Sequence, residues 1–407
     1  MSRTEASAQD LHPEFPVERT CPYTLPERFE LLRAHGPVSK SSLFDGRVIW
    51  AVTGHAEARK LLTDPRIVSS RRYENLAFPV PIPALTALDG ERPVRSPLIS
   101  TDPPEHGNRR RIFTPYLTAR KIDALRPSIE EVVSNRLTAL LEEGPGVDLH
   151  RVFALPIPSI VICRFLGVPY EDHDYFEELT MRRFDPVDGS SMIDLYDYID
   201  GLVQDKSADR NIHPTGLLDE VIVNHVARGA LDKESLTMFA LELLIGGHDT
   251  TANMITSSVY TLLRHPDQLD AIRADPSRLP AAIEELLRIL AIPASLSRVA
   301  TDDIAMGGQL IKAGDGVLIS PIAVNHDAAV FENPERFDIG RPRNRHHVGF
   351  GFGRHQCIGQ NLARVEMEIA LDALITRLPT LQLAIPDNEV PLRQGMLAGV
   401  EMLPIEW

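Results

Sequence analysis

Apolar side chains recur at three- and four-residue spacing over Ile122–Glu143, Leu236–His265, Pro280–Leu290 and Gln360–Leu378. That is the period at which one face of an α-helix is buried. Strand signals are short by comparison: Val48–Val52 near the start, then Gln309–Ile311 and Gly316–Ile319 late in the chain. The pattern predicts a mainly α fold with small β-sheets. No internal repeat or low-complexity tract interrupts it.

The helical period fails in two places. Seven of the 32 prolines fall between Pro79 and Pro104, in a stretch that also holds Leu76, Phe78, Ile82 and Leu85. A proline-broken apolar segment is a poor helix and a poor surface loop. It reads either as an irregular connection lying on the core or as a loop covering an apolar ligand. Phe184–Ser191 follows a helix and is expected to be a second lid element.

Composition narrows the class. With 43% hydrophobic and 24% charged residues the 407-residue chain is an ordinary globular sequence, long enough to bury a large core around a bulky ligand. The net charge of −15 argues against a general nucleic-acid or membrane-surface binder. Three scattered cysteines, Cys21, Cys163 and Cys357, make no disulfide framework and suit a reducing compartment. Met1–Asp10 lacks the apolar region of a signal peptide, and Thr250–Leu263 falls short of the ~18 apolar residues of a membrane span. A cytoplasmic protein is expected.

The most informative segment is Phe350-Gly351-Phe352-Gly353-Arg354-His355-Gln356-Cys357-Ile358-Gly359. Three glycines and two phenylalanines describe a tight loop whose backbone comes close to something. It runs into a predicted helix, whose N-terminus favours a thiolate. Three chemistries compete for Cys357. A nucleophile needs a base, and His355 two residues away is awkwardly placed. A zinc site from His346, His347, His355 and Cys357 lacks the usual second cysteine. Haem iron needs one axial thiolate, small residues against the macrocycle and cations for its carboxylates.

The segment resembles the haem-binding signature of the cytochromes P450, Phe-x-x-Gly-x-x-x-Cys-x-Gly, with Phe350, Gly353, Cys357 and Gly359 at its fixed positions. Further motifs stand in the family's order. Glu285 and Arg288, three apart on one helical face, precede Pro334-Glu335-Arg336-Phe337; the resemblance implies a buried structural network of Glu285, Arg288 and Arg336 behind the cysteine loop. Gly246-Gly247-His248-Asp249-Thr250-Thr251 matches the family's Ala/Gly-Gly-x-Asp/Glu-Thr-Thr. Glycines in a helix interior each cost ~1 kcal/mol against alanine and ask for a reason. The bland reading is a kink; the resemblance implies that Gly246 lets the helix pass close over haem and that Asp249 and Thr250 are the catalytic acid–alcohol pair. His248, at the variable position, is given no role. His106 and Arg110, one turn apart after Pro103-Pro104, would bind haem propionates together with Arg298 and His355.

The resemblance covers nearly the whole chain and implies a single catalytic domain, residues 1–407, with haem b between a long central helix and the helix of the cysteine loop. It looks closest to actinobacterial hydroxylases of macrolides, statin-like polyketides and secosteroids. The implied reaction puts one oxygen atom of O2 into a C–H bond of a bulky lipophilic small molecule, a polyketide, macrolide or steroid-like compound. Electrons come from a ferredoxin and its reductase, and Arg109, Arg111 and Lys121 form a basic patch for the acidic partner. Leu243, Leu244, Ile292, Leu296, Met396 and Leu397 are expected to touch substrate, and the family expectation is a monomer. Two rivals share the loop: a haem-thiolate peroxygenase or isomerase, against which the Asp249–Thr250 pair argues, and a non-enzymatic haem sensor, for which the chain has no spare output segment. Cys21 and Cys163 are expected to be structural.

Overall fold

The computed structural model describes residues 12–407 except 17, 71, 82–96, 183–189, 210–212 and 343. Most of the proline-rich loop and the Phe184–Gly189 part of the expected second lid lie outside the described residues. The helices that position the site are α1 (His55–Thr63), α2 (Glu105–Phe113), α3 (Arg126–Glu143), α4 (Pro156–Leu166), α5 (His173–Arg182), α6 (Lys233–Leu263), α7 (Leu279–Leu290) and α8 (Gln360–Arg377). The strands used below are β1 (Val38–Ser42), β2 (Val48–Val52), β3 (Ile67–Val68), β4 (Leu296–Ala300), β5 (Ile304–Met306), β6 (Gln309–Ile311) and β7 (Gly316–Ile319). The long helical period and all three predicted strands are therefore present. No described helix is long and apolar enough to cross a membrane.

The chain groups into two compact units, one of residues 1–80, 253–357 and 375–407, the other of 81–252 and 358–374. The first unit holds a five-stranded sheet in the order β1-β2-β7-β4-β3. Its one parallel pair, β2 with β7, sets Trp50 opposite Val317 and Val52 opposite Ile319. The other neighbours are antiparallel, and β4 is registered so that Arg298 faces Val317. Val38, Val52, Leu61, Leu62, Val317 and Ile319 close a core between this sheet and α1. The β5–β6 hairpin turns on Gly307 and Gly308, both at positive φ, which a two-residue hairpin loop requires. Farther on, Ala294 N–H donates to Met396 O at 2.9 Å and Ala398 N–H to Ile292 O at 3.0 Å, so these two irregular segments lie side by side.

The second unit is helical. Phe113 of α2 stacks on Phe239 of α6, and both are buried. The single helix predicted over Ile122–Glu143 is two, Ala119–Asp123 and α3, because Pro127 has no N–H and fits only the first turn of a new helix. Cys163 is buried in α4, where burial and the neighbouring carboxylate of Glu177 push its thiol up to about 12. It is an inert core residue, as expected from its apolar run.

Candidate functional site

The cysteine loop belongs to the first unit. Gly351 and Gly353 have φ of 69° and 73°, the left-handed region that a side chain resists. Cys357 N–H donates to Phe350 O at 2.8 Å, closing the loop on itself three residues before α8. The Cys357 thiol is exposed, and no disulfide involves it.

What holds an irregular loop in place must come from outside it, and here it comes from α7. Arg288 and Glu285 are fully buried and form a two-bonded pair, Nε to Oε2 and Nη2 to Oε1, both at 2.9 Å. Arg288 Nη1 donates to Asn325 O at 2.8 Å, and Asn325 Nδ2 donates back to Arg288 O at 2.9 Å. Asn325 Oδ1 then accepts the N–H of Val348 at 2.8 Å, which carries the brace to the start of the loop. Alongside, Gly349 N–H donates to His347 Nδ1 at 3.0 Å, so the other ring nitrogen carries the proton that Glu284 accepts at 3.1 Å. A Cβ on Gly349 would stand 2.6 Å from Leu287 O. The loop entry is thus pressed onto the α7 backbone.

One member of the expected network is corrected. The Arg336 side chain is exposed, and only its carbonyl takes part, accepting from Arg288 and Arg341. The third charged partner is Arg341, whose Nε donates to Glu285 Oε1 at 2.8 Å and whose guanidinium also caps the Asn333 and Arg336 carbonyls. Arg341 follows the turn Asp338–Gly340, and that turn sends the arginine five residues after Arg336 inward. A fully buried carboxylate shared by two guanidiniums is a satisfied network, and removal of one member leaves an uncompensated charge.

The middle of the loop rests on α1. A Cβ at Gly353 would lie 2.5 Å from Leu62 O, and Arg354 donates to Thr63 O at 3.3 Å. His355 Nε2 lies 3.2 Å from Ser69 Oγ, and the nearly buried Arg298 donates to Ser297 O at 2.7 Å.

In the second unit helical assignment of α6 continues through the glycine–acid–alcohol motif. The two glycines differ. A Cβ at Gly247 would come within 3.0 Å of Ile162, so this glycine admits α4. At Gly246 a Cβ would meet nothing within 4 Å, and the residue is exposed. Thr250 Oγ1 donates to Gly246 O at 2.7 Å, one turn back along the helix. Asp249 is wholly buried. His106 lies in the first turn of α2 and is buried, with Arg110 half-buried one turn on.

Two expectations change here. Arg109 is not an open cation: its side chain is 12% exposed and ion-paired to Glu105 at 2.5 Å, while Arg111 and Lys121 are exposed. Leu244 is fully enclosed and offers no surface to a substrate. Leu243 is buried, and Ile292, Leu296, Met396 and Leu397 lie on neighbouring segments of the first unit. His248, given no role from sequence, is buried with Nδ1 2.6 Å from Leu244 O and Nε2 3.1 Å from Thr180 Oγ1, tying α6 to α5. Glu242, also missed, accepts the N–H groups of Leu98 and Ile99 at 2.6 and 2.8 Å. The sequence separation of 144 and 143 residues left no local signal for it.

Each unit, taken by itself, carries residues whose chemistry fits haem b. It asks for one thiolate donor with room beside it, and the exposed Cys357 supplies that. It asks for backbone free of side chains, and in the second unit Gly246 has open space where a Cβ would stand. His106, Arg110, Arg298 and His355 carry the donors its carboxylates require. Zinc fits less well, because no cluster of three His, Cys, Asp or Glu side chains among the described residues is placed to hold a metal ion.

Comparison with known proteins identifies the family. The family model described as Cytochrome P450 matches residues 190–394. A vitamin D3 dihydroxylase of Streptomyces griseolus is 46% identical over 402 residues, covering 97% of both chains. A pentalenic acid synthase of Streptomyces avermitilis is 46% identical over 400 residues, again covering 97% of each. The crystal structure of mycinamicin VIII C21 methyl hydroxylase from Micromonospora griseorubida, bound to mycinamicin VIII, superposes with a TM-score of 0.86 at 38% identity, covering 97% of this chain and 99% of that one.

Proposed function

The chain belongs to the cytochrome P450 family, and from that premise we propose that it hydroxylates a bulky lipophilic secondary metabolite of the polyketide, macrolide or steroid-like type, with electrons from a ferredoxin and its reductase. It is a monooxygenase with haem b and cysteine-thiolate ligation. Bound haem supplies O2 activation, which a thiolate ligand drives toward O–O cleavage. The remaining task belongs to the chain's own residues.

Cys357 provides the thiolate, and Phe350, Gly353 and Gly359 shape its loop. His106, Arg110, Arg298 and His355 hold the propionates. Thr250 Oγ1, bonded to the Gly246 carbonyl, keeps a hydroxyl proton at a fixed point on α6, and the neighbouring Asp249 carboxyl resupplies it. Leu243, Ile292, Leu296, Met396 and Leu397 offer an apolar surface that orients the substrate and excludes water. Arg111 and Lys121 remain exposed for an acidic electron donor. One catalytic domain over 1–407, acting as a cytoplasmic monomer, completes the reading.

The observation that carries it is the cysteine loop, an exposed cysteine on a backbone turned by two left-handed glycines and braced by a fully buried Glu285–Arg288–Arg341 network. Relatives named for vitamin D3, pentalenic acid and mycinamicin VIII support a bulky substrate. The test is a spin-state titration of the ferric protein with macrolides, secosteroids, sesquiterpenoid acids and small aromatics. Saturable low-to-high-spin conversion with one bulky class is expected. Conversion by small aromatics alone contradicts the substrate reading. Turnover driven by NADH, ferredoxin and reductase, rather than by peroxide, separates the monooxygenase from the peroxygenase.

A further inference from the structure

The brace from α7 reaches the entry of the cysteine loop at residues 347–349. Between that entry and Cys357 the chain passes through Gly351-Phe352-Gly353, where both glycines adopt left-handed backbone and Phe352 is extended, φ −152° and ψ 157°. Glycine on each side leaves the backbone two soft joints. Phe352 carries the one side chain in this triplet. Phe352 packs one way against the core that α1 shares with the first sheet. On its ring lies the guanidinium of Arg59, with Cζ 3.8 Å from the ring centroid. Among the described residues no carboxylate pairs with Arg59, so the ring is the partner the fold gives its charge.

We infer that the Arg59–Phe352 stack is a positioning device for the haem ligand: α1 clamps the ring, the clamp fixes the two glycine joints, and the joints set the placement of Cys357. Three observations agree. Arg59 and Leu62 lie three apart on α1, so one face of the helix presents both the guanidinium and the carbonyl against which Gly353 is pressed. Arg354 grips the end of the same helix through Thr63 O, so the loop is held on both sides of Gly353. A guanidinium on a half-buried ring face is worth more than on an exposed one. Neither residue is fixed by the loop's signature, in which Phe352 occupies an open position. The inference rests on Cys357 being the thiolate ligand.

The test follows conversion of the reduced carbonyl complex from its thiolate form, with a red-shifted Soret band, to the inactive form in which that band is lost, in mild denaturant. Arg59→Met removes the plane and the charge but keeps length and helix propensity; conversion about fivefold faster is expected, the size of one such contact. Phe352→Leu should do the same, and the double variant should convert no faster than either single one, because both remove one interaction. Phe352→Tyr, which keeps the ring face, should restore the wild-type rate. Should Arg59→Met fail to give folded protein by circular dichroism, Arg59→Lys, which keeps the charge without the plane, carries the test with a rate above wild type. Wild-type conversion in Arg59→Met, or effects that multiply in the double variant, overturns the inference. Retention of the thiolate band in Cys357→Ala would instead overturn the ligand assignment on which it rests.

Discussion

The cysteine loop and the acid–alcohol turn of α6 are built by opposite means. The loop is irregular and carries two left-handed glycines, so its geometry is imposed from outside by α7, Asn325, Arg341 and α1. The α6 turn is ordinary helix, and its special features are local: a bare Gly246, a hydroxyl bonded one turn back, a buried acid next to it. A regular element needs only the right residues at the right period to make a site. An irregular one needs partners, and those partners lie far away in sequence.

That contrast orders what mutations do. The largest losses fall in the loop's brace. Arg341→Ala leaves the buried Glu285 carboxylate short of a partner and should cost about 3 kcal/mol or more in chemical denaturation, whereas Arg336→Ala, on an exposed side chain, should stay under ~0.5 kcal/mol. Equal effects would restore Arg336 to the network. The same brace gives a pH signature through His326, which is wholly buried beside Arg288. Burial, then the Arg288 charge, lowers its pKa from the ordinary 6.5 to about 3. The unfolded chain therefore takes up a proton that the folded one refuses. Its contribution to stability is complete above pH 6.5 and is lost as the pH falls toward 3. Urea midpoints measured across that window should fall more steeply for the wild type than for His326→Gln.

Within the loop, Gly353→Ala must displace the Leu62 carbonyl as well as adopt positive φ, so it should lose more haem and more stability than Gly351→Ala. The latter meets its nearest atom at 3.7 Å and pays mainly the left-handed penalty of about 1–2 kcal/mol. On α6 the effects move from stability to chemistry. Thr250→Ala removes a back-bonded hydroxyl, so the helix should hold, substrate binding should persist, and peroxide released per NADH consumed should rise several-fold. Unchanged coupling would contradict the role given to Thr250. The smallest change in stability is expected of Gly246→Ala, which should stabilise the apoprotein by up to ~1 kcal/mol while weakening haem retention. Unaltered haem retention would place the macrocycle away from that glycine.

The same contrast explains what the sequence disclosed. The α6 motif, the strands Val48–Val52, Gln309–Ile311 and Gly316–Ile319, and the helices over Pro280–Leu290 and Gln360–Leu378 were legible because period and local composition are enough to specify them. The loop's fixed positions were legible as a resemblance. Its supports were not: Arg341 and Arg336 are both arginines near one turn, and only the course of that turn decides which points inward. Asn325, Glu242 and the His248–Thr180 pair act on groups dozens of residues away and leave no periodic trace. Leu244 looked like Leu243 in sequence, and one position of rotation around α6 buries it completely.

The central claim is that Cys357 is the haem's thiolate ligand, and the reduced carbonyl spectrum tests it most directly. The wild type and the Cys21→Ala and Cys163→Ala variants should show the red-shifted Soret band of thiolate ligation, and Cys357→Ala should lose it. Persistence of that band in Cys357→Ala, or its loss in Cys163→Ala with the fold intact, would contradict the account.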